Sequence, residues 1–181
     1  LRDESTNPDF EALAMPLFAS LYNFAHWLTQ DRDEAEDLVQ ETYAKALRGF
    51  SSFRPGTNFR AWMFRILRNA FLTSRTGLAA AATVPLEPEE EQELVDETRR
   101  TPESLTIASA TREAMQKAIE QLAVPFREVL LLADVEEMSY QEIAESLSVP
   151  IGTVMSRLAR ARAAVRKTLA AAGYVGATVR R

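Results

Sequence analysis

The chain of 181 residues contains no cysteine and a single histidine, His26. The first absence excludes disulfides, thiolate metal sites and thiol-based redox sensing, so any response to oxidants has to be sensed by a partner. The second leaves no histidine cluster, and His26 stands among apolar, helix-patterned residues where packing or capping outweighs catalysis. There is no glycine-rich phosphate loop, and no nucleophile lies at a telling spacing from a base. No enzyme, cofactor, metal or small-molecule substrate is therefore expected. Long apolar runs are also missing. The most apolar stretch, Ala12 to Leu28, is short and interrupted by Pro16, Asn23 and His26, so direct membrane insertion is not expected. With no leader-like opening, the expected location is the cytoplasm.

A further absence is local. From Tyr43 to Leu86 there is no Asp or Glu, while Lys45, Arg48, Arg54, Arg60, Arg65, Arg68 and Arg75 alternate with Phe50, Phe53, Phe59, Trp62, Phe64 and Phe71. A second basic block follows Glu145 with Arg157, Arg160, Arg162, Arg166 and Lys167. The net charge of −5 averages these against acidic stretches at residues 3–41 and 85–104. Two cationic surfaces joined by an acidic connector suit a chain that grips nucleic acid at two separated places.

Periodicity gives an all-α fold. Phe10, Leu13, Leu17, Leu21, Phe24, Ala25 and Leu28 recur at three- and four-residue intervals, predicting one amphipathic helix. A second helix is expected to start after Asp31 and Asp33, whose carboxylates suit a helix N-terminus, and to run to Phe50. Residues 51–58 are rich in turn formers, and a third helix is expected over 59–76. The pattern then lapses, predicting a linker at 77–101. Pro102 fits a first helical position, and further helices are expected over 102–122, 125–136, 139–147 and 151–171. No strand candidate survives. The expected organisation is a first domain at 1–76, the linker, a second domain of four helices at 102–172, and a tail at 173–181.

Ser139-Tyr140-Gln141-Glu142 has the form of a capping box. It opens a short helix with Ile143, Ala144 and Leu147 inward. A turn at Ser148-Val149-Pro150 then leads into a basic helix, which is a helix-turn-helix pattern. At 100° per residue, Val154, Leu158, Ala161 and Val165 form its inner stripe, and Ser156, Ala159, Arg160, Ala163 and Lys167 face away.

Three segments together resemble the extracytoplasmic-function sigma factors of bacterial RNA polymerase: Asp33-Glu-Ala-Glu-Asp-Leu-Val-Gln-Glu-Thr42, Gly56-Thr-Asn-Phe-Arg-Ala-Trp-Met-Phe-Arg-Ile-Leu-Arg-Asn69, and Ser139-Tyr-Gln-Glu-Ile-Ala continuing through Val149 to Arg162. The resemblance implies a promoter-specificity subunit. Its first domain would bind the clamp of core RNA polymerase and open the minus-ten element, and its second would meet the flap and read the minus-thirty-five element. The polymerase would perform the chemistry. It implies polymerase contact by Asp37, Leu38, Gln40 and Glu41, where composition alone favours a solvated helix face. It implies minus-ten contact by Phe53, Asn58, Arg60, Trp62, Arg65 and Asn69, with the 51–58 loop holding a flipped base against Phe53. Stacking on such rings is worth ~1–3 kcal/mol per base, against about 1.4 kcal/mol per opened step. Phe64 and Phe71 read as core, and Trp62 as either core or strand contact.

For the minus-thirty-five element the matched residues are Thr153, Met155, Ser156, Arg157, Ala159 and Arg160. Position 155 is commonly basic in the family and 159 often aromatic or His, so Met155 and Ala159 depart from the pattern and Arg160 carries the expected base contact. Arg157 lies near the inner stripe, where an internal ion pair or a phosphate contact is expected.

A flexible linker of this length averages about 28 Å end to end, while the two promoter elements lie on the order of 50 Å apart. Polymerase is therefore expected to hold the domains apart, and an anti-sigma factor to hold them together in a stress or envelope response. The stretch Glu87 to Glu97 reads either as a nucleic-acid mimic entering a polymerase channel or as a solvated spacer. The rival reading is a free-standing helix-turn-helix regulator. It accounts for the second domain and leaves the first unexplained.

Overall fold

Proline, capping side chains and one wide turn set the element boundaries in the computed structural model. It describes the backbone of residues 8–54, 56–79 and 105–174, and the side chains of 10–54, 56–76 and 112–174. The first predicted helix is two: α1 (Pro8–Ala14) and α2 (Phe18–Thr29), separated by a 3₁₀ turn at Met15–Leu17. Pro16 sits in that turn and has no N–H to give the preceding helical turn, which explains the break. His26 is exposed, and its ring lies parallel to Tyr22 at 6.4 Å rather than packed in the core. Gln30 ends α2 in the left-handed region, and α3 (Arg32–Gly49) begins at once, its first-turn amide of Glu34 donating to Asp31 Oδ1 at 2.9 Å.

After a 3₁₀ turn at Phe50–Ser52, the chain reverses through Gly56, whose φ of +86° favours glycine, and enters α4 (Phe59–Ala79). Asn58 starts α4 by accepting the Ala61 amide on Oδ1 at 2.9 Å, satisfying one of the donors a helix start leaves free. The helix continues past its expected end at residue 76. The remainder of the expected linker, the Glu87–Glu97 stretch, Pro102 and the tail beyond residue 174 lie outside the described residues.

The second half holds α5 (Leu105–Glu120), α6 (Val124–Leu130), α7 (Tyr140–Leu147) and α8 (Ile151–Ala171). Beyond α6 the helix widens into a π turn at Leu131–Val135, closed by Glu136 N–H to Leu131 O at 2.9 Å. Val129, Leu130, Leu131 and Leu132 are all buried, as expected of a helix that is apolar on every side. The capping box forms as the sequence predicts: Ser139 Oγ accepts the Glu142 amide at 3.3 Å, and Glu142 Oε2 accepts the Ser139 amide at 2.7 Å. Val154, Leu158, Ala161 and Val165 face inward on α8. The described residues contain helices and no strand.

The two halves pack directly. Within the first, α3 lies between α2 and α4; within the second, α8 is flanked by α5, α6 and α7. Helix α4 bridges them by lying against α7, and the buried apolar side chains of both halves form one cluster. Polar groups reinforce the junction. Arg127 is 6% exposed and donates to carbonyls at the end of α5 (Ile119 at 3.3 Å, Leu122 at 2.8 Å) and to Trp27 O of α2 at 2.9 Å. Gln30 Nε2 donates to Glu120 O at 3.0 Å.

Candidate nucleic-acid interface

Helix α4 presents two different faces. Its buried arc holds Ala61, Met63, Phe64, Leu67, Ala70 and Phe71, which accounts for the two phenylalanines expected in the core. At 100° per residue, Trp62, Arg65 and Asn69 fall within about 60° of one another on the opposite side. Trp62 is half-buried, while Arg65 and Asn69 are exposed. Arg60 points the other way: its Nη2 meets Glu136 Oε2 at 2.7 Å and Glu136 O at 2.8 Å, with the guanidinium 5.8 Å from the Phe64 ring. Five of the six residues expected to meet the minus-ten strand therefore share one side, and Arg60 is set apart by an internal partner.

Aromatic packing builds the floor of that side. Phe53 lies parallel to Phe50 at 6.0 Å, edge-on to Phe59 at 5.3 Å and tilted against Trp62 at 5.2 Å. Phe10, buried at the loop's back, meets Phe50 edge-on at 5.2 Å. Edge-to-face and offset arrangements of this kind hold rings in fixed orientations. Phe53 walls two cavities at once. One is a cleft of about 700 Å³ shared with Arg54, Asn58, Trp62, Arg65 and the start of α7, and the other is an apolar pocket of about 460 Å³ shared with Leu13, Phe50 and Phe59. Asn69 lines a third pocket of about 300 Å³ with Lys45, Gly49 and Trp62.

On α8, Met155, Ser156 and Ala159 are exposed, and Thr153, Arg157 and Arg160 are partly so. Ser156 Oγ donates to Thr153 O at 3.2 Å, so its hydroxyl is occupied by the helix itself. Arg157 lies close enough to the buried Glu128 carboxylate to act on it electrostatically, in keeping with an internal role. Arg162 fixes the helix by a two-pronged pair with Asp134 (2.6 and 3.2 Å), a geometry suited to guanidinium and carboxylate.

The face expected to meet polymerase lies on α3. Asp37, Gln40 and Glu41 are exposed, with Glu41 paired to Lys45 at 2.7 Å. Leu38 is only 6% exposed and packs in the core. Its position on the inward stripe with Ala35, Val39 and Thr42 makes it a support for the acidic face, with little surface to offer a partner.

Three carboxylates face α4, of which sequence reasoning singled out Glu142 alone, and that one as a helix cap. Glu128 is fully buried, and its Oε1 accepts from Arg68 Nε at 2.9 Å while Oε2 has no hydrogen-bond partner. Burial raises the Glu128 carboxyl above its ordinary value, with Arg68 and Arg157 opposing that shift. Arg68 also donates to Leu147 O at 3.1 Å. Glu136 holds Arg60, and Glu142 Oε1 accepts Asn58 Nδ2 at 2.6 Å. The Glu142 carboxyl lies below its ordinary value, chiefly through the Ser139 amide and hydroxyl, with smaller help from Asn58 and Arg60. A signal for Glu128 existed: it follows Arg127 within an otherwise apolar run from Leu122 to Leu132, where charge survives burial only when paired.

Comparison with known proteins agrees with this anatomy. The sigma-70 region 2 family matches residues 16–79, and sigma-70 region 4 matches 112–165. The ECF RNA polymerase sigma factor SigE of Mycolicibacterium smegmatis is 33% identical over 93% of this chain, which spans 64% of that protein's length. The RNA polymerase sigma-H factor of Pseudomonas aeruginosa is 32% identical over 77% of this chain and 75% of its own. Among solved structures, the sigma factor RpoE in complex with the anti-sigma factor NepR from Bartonella quintana superposes with a TM-score of 0.68 at 30% identity, covering 90% of this chain and 97% of RpoE. CnrH in complex with the cytosolic domain of CnrY gives 0.65 at 25% identity, covering 91% of this chain and 89% of CnrH. Region 2 and region 4 matches in this order, with such relatives, place the chain in the sigma-70 family, among its extracytoplasmic-function sigma factors.

Proposed function

We propose that this chain directs core RNA polymerase to specific promoters and opens them, acting as an initiation factor rather than an enzyme. The observation that carries the reading is the pairing, in one chain, of a region 2 helix bearing Trp62, Arg65 and Asn69 beside the Phe53 loop with a region 4 helix-turn-helix. The aromatic floor supplies stacking for unpaired bases, and the arginines neutralise phosphate. The outward side of α8, from Thr153 to Arg160, enters the major groove, where Arg160 reads a guanine edge. Asp37, Gln40 and Glu41 offer an acidic face to a basic surface of the polymerase clamp, with Leu38 beneath them. The domains divide at about 1–76 and 102–172, so that each half serves one promoter element.

An anti-sigma factor is the natural inhibitor, since RpoE and CnrH were both captured with such cytosolic or anti-sigma partners. Among the described residues no helix is long and apolar enough to cross a membrane, and the chain works where polymerase and DNA are. A free-standing regulator has no use for the region 2 match. Transcription in vitro with core polymerase on a genomic fragment library tests the reading. The expected result is discrete start sites that require the chain, and start sites unchanged by its addition refute it.

A further inference from the structure

The first turns of α8 carry two neighbouring rows of side chains with different chemistry. Residues four apart succeed one another along a helix surface, so Gly152, Ser156 and Arg160 form a polar row and Ile151, Met155 and Ala159 an apolar row beside it. The apolar row is not packed away. Ile151 is 46% and Met155 54% exposed, and Ala159 is exposed too, while the inward stripe of Val154, Leu158, Ala161 and Val165 is buried without them. The core of this half is complete without the row.

Charge around the row points to what covers it. Helix α8 has no Asp or Glu and five bases. Arg157 and Arg162 are drawn to the internal acids Glu128 and Asp134, which leaves Arg160, Arg166 and Lys167 on the outward side together with the apolar row. That border suits a polyanion. Duplex DNA is the polyanion a recognition helix meets, and the base edges of its major groove carry one apolar group, the 5-methyl of thymine. Methionine, unbranched and polarisable, adapts readily to such a contact. Ala159 adds a methyl and no polar atom, and Ser156 Oγ already donates to Thr153 O, so a base edge beside Met155 meets carbon rather than a donor.

We propose that Met155, flanked by Ile151 and Ala159 in the same row, reads the 5-methyl group of a thymine in the minus-thirty-five element, close to the base pair met by Arg160. Five residues advance about 7.5 Å along a helix and one base step about 3.4 Å, so the thymine lies within about two steps of that pair. The inference rests on the reading of α8 as the recognition helix and adds a base class that the arginine alone does not select.

Deoxyuridine pairs as thymidine does and lacks only the methyl group, which makes it a direct probe. Holoenzyme assembled from core RNA polymerase and the full chain is tested on a promoter recovered from the genomic fragment library. Each minus-thirty-five thymine is replaced singly by deoxyuridine, and binding is read by competition against the unmodified promoter. At least one replacement is expected to weaken binding about fourfold, the worth of one buried methyl group. Met155→Ala, at an exposed helical position where alanine folds well, should abolish that penalty, and Met155→Arg should exchange the thymine preference for guanine. An element without thymine, deoxyuridine tolerated at every position, or a penalty that persists in Met155→Ala overturns the proposal. So does a Met155→Ala variant whose only defect is weaker assembly with core polymerase, which would give the row to a protein partner. Any of these results alongside directed initiation removes thymine reading alone and leaves the sigma-factor function standing. Absence of directed initiation by the parent refutes that function and the proposal with it.

Discussion

The two candidate DNA surfaces are built in opposite ways. The α8 surface is one side of one helix, fixed from behind by Val154, Leu158, Ala161 and Val165 and from the flank by the Arg162–Asp134 pair. The candidate minus-ten surface is assembled from a loop, a helix start and a ring cluster, and the start of α7 shares the cleft beside it. The first needs only an amphipathic pattern to exist. The second depends on contacts between residues distant in the chain.

The sharpest way to break this contrast is Arg68→Ala. It leaves Glu128 buried with no partner on either oxygen, and loss of one member of a buried pair costs about 3–5 kcal/mol. Chemical denaturation is expected to show a loss of that size, whereas removing an exposed charge from α8, as in Lys167→Ala, should leave stability within about 0.5 kcal/mol. Phe53→Ala tests the assembled surface. Loss of one stacking ring, worth ~1–3 kcal/mol, should slow promoter opening read by permanganate reactivity while leaving duplex minus-thirty-five binding intact. Arg160→Ala tests the simple surface with the converse outcome: discrimination at one base pair drops by ~1–3 kcal/mol, and opening of an already bound promoter is unaffected. Unchanged sequence preference would remove Arg160 from base reading.

Smaller effects sharpen the comparison. Ser139→Ala deletes one arm of the capping box, costing about 1 kcal/mol, and should lower the melting temperature by about 2–4 °C. The raised Glu128 carboxyl gives a pH signature. The folded chain holds this proton more tightly than the unfolded one, whose carboxyl titrates near about 4.3. Stability therefore falls as pH rises from that value through the raised one. The stability of the parent relative to Glu128→Gln should decline over that interval, and a difference independent of pH would contradict the assignment.

What could be read from the sequence follows the same division. Helices α3, α4, α7 and α8 were legible because each has a continuous apolar stripe and, in α3 and α7, a capping side chain at its start. The break at Pro16 was hidden by an apolar period that runs unbroken across it, and the π turn at Leu131–Val135 by the apolar run of residues 129–132 that leads into it. The inward position of Leu38 was readable from its spacing to Ala35, Val39 and Thr42. The junction of the halves was not legible, since Glu136 looks like an ordinary surface charge, Glu142 like a helix cap alone and Arg60 like a strand contact until their partners, some 76 to 84 positions away, are brought beside them.

Asn58 and Glu142 each serve two masters. With one atom each secures the first turn of its own helix, and with the other it holds its counterpart. Parting the halves thus leaves both helix beginnings with a loose anchor, so amide protons at the starts of α4 and α7 should exchange with solvent in concert although the segments are remote in the chain. That shared fraying would serve as an internal gauge of how often the molecule opens, visible without any label.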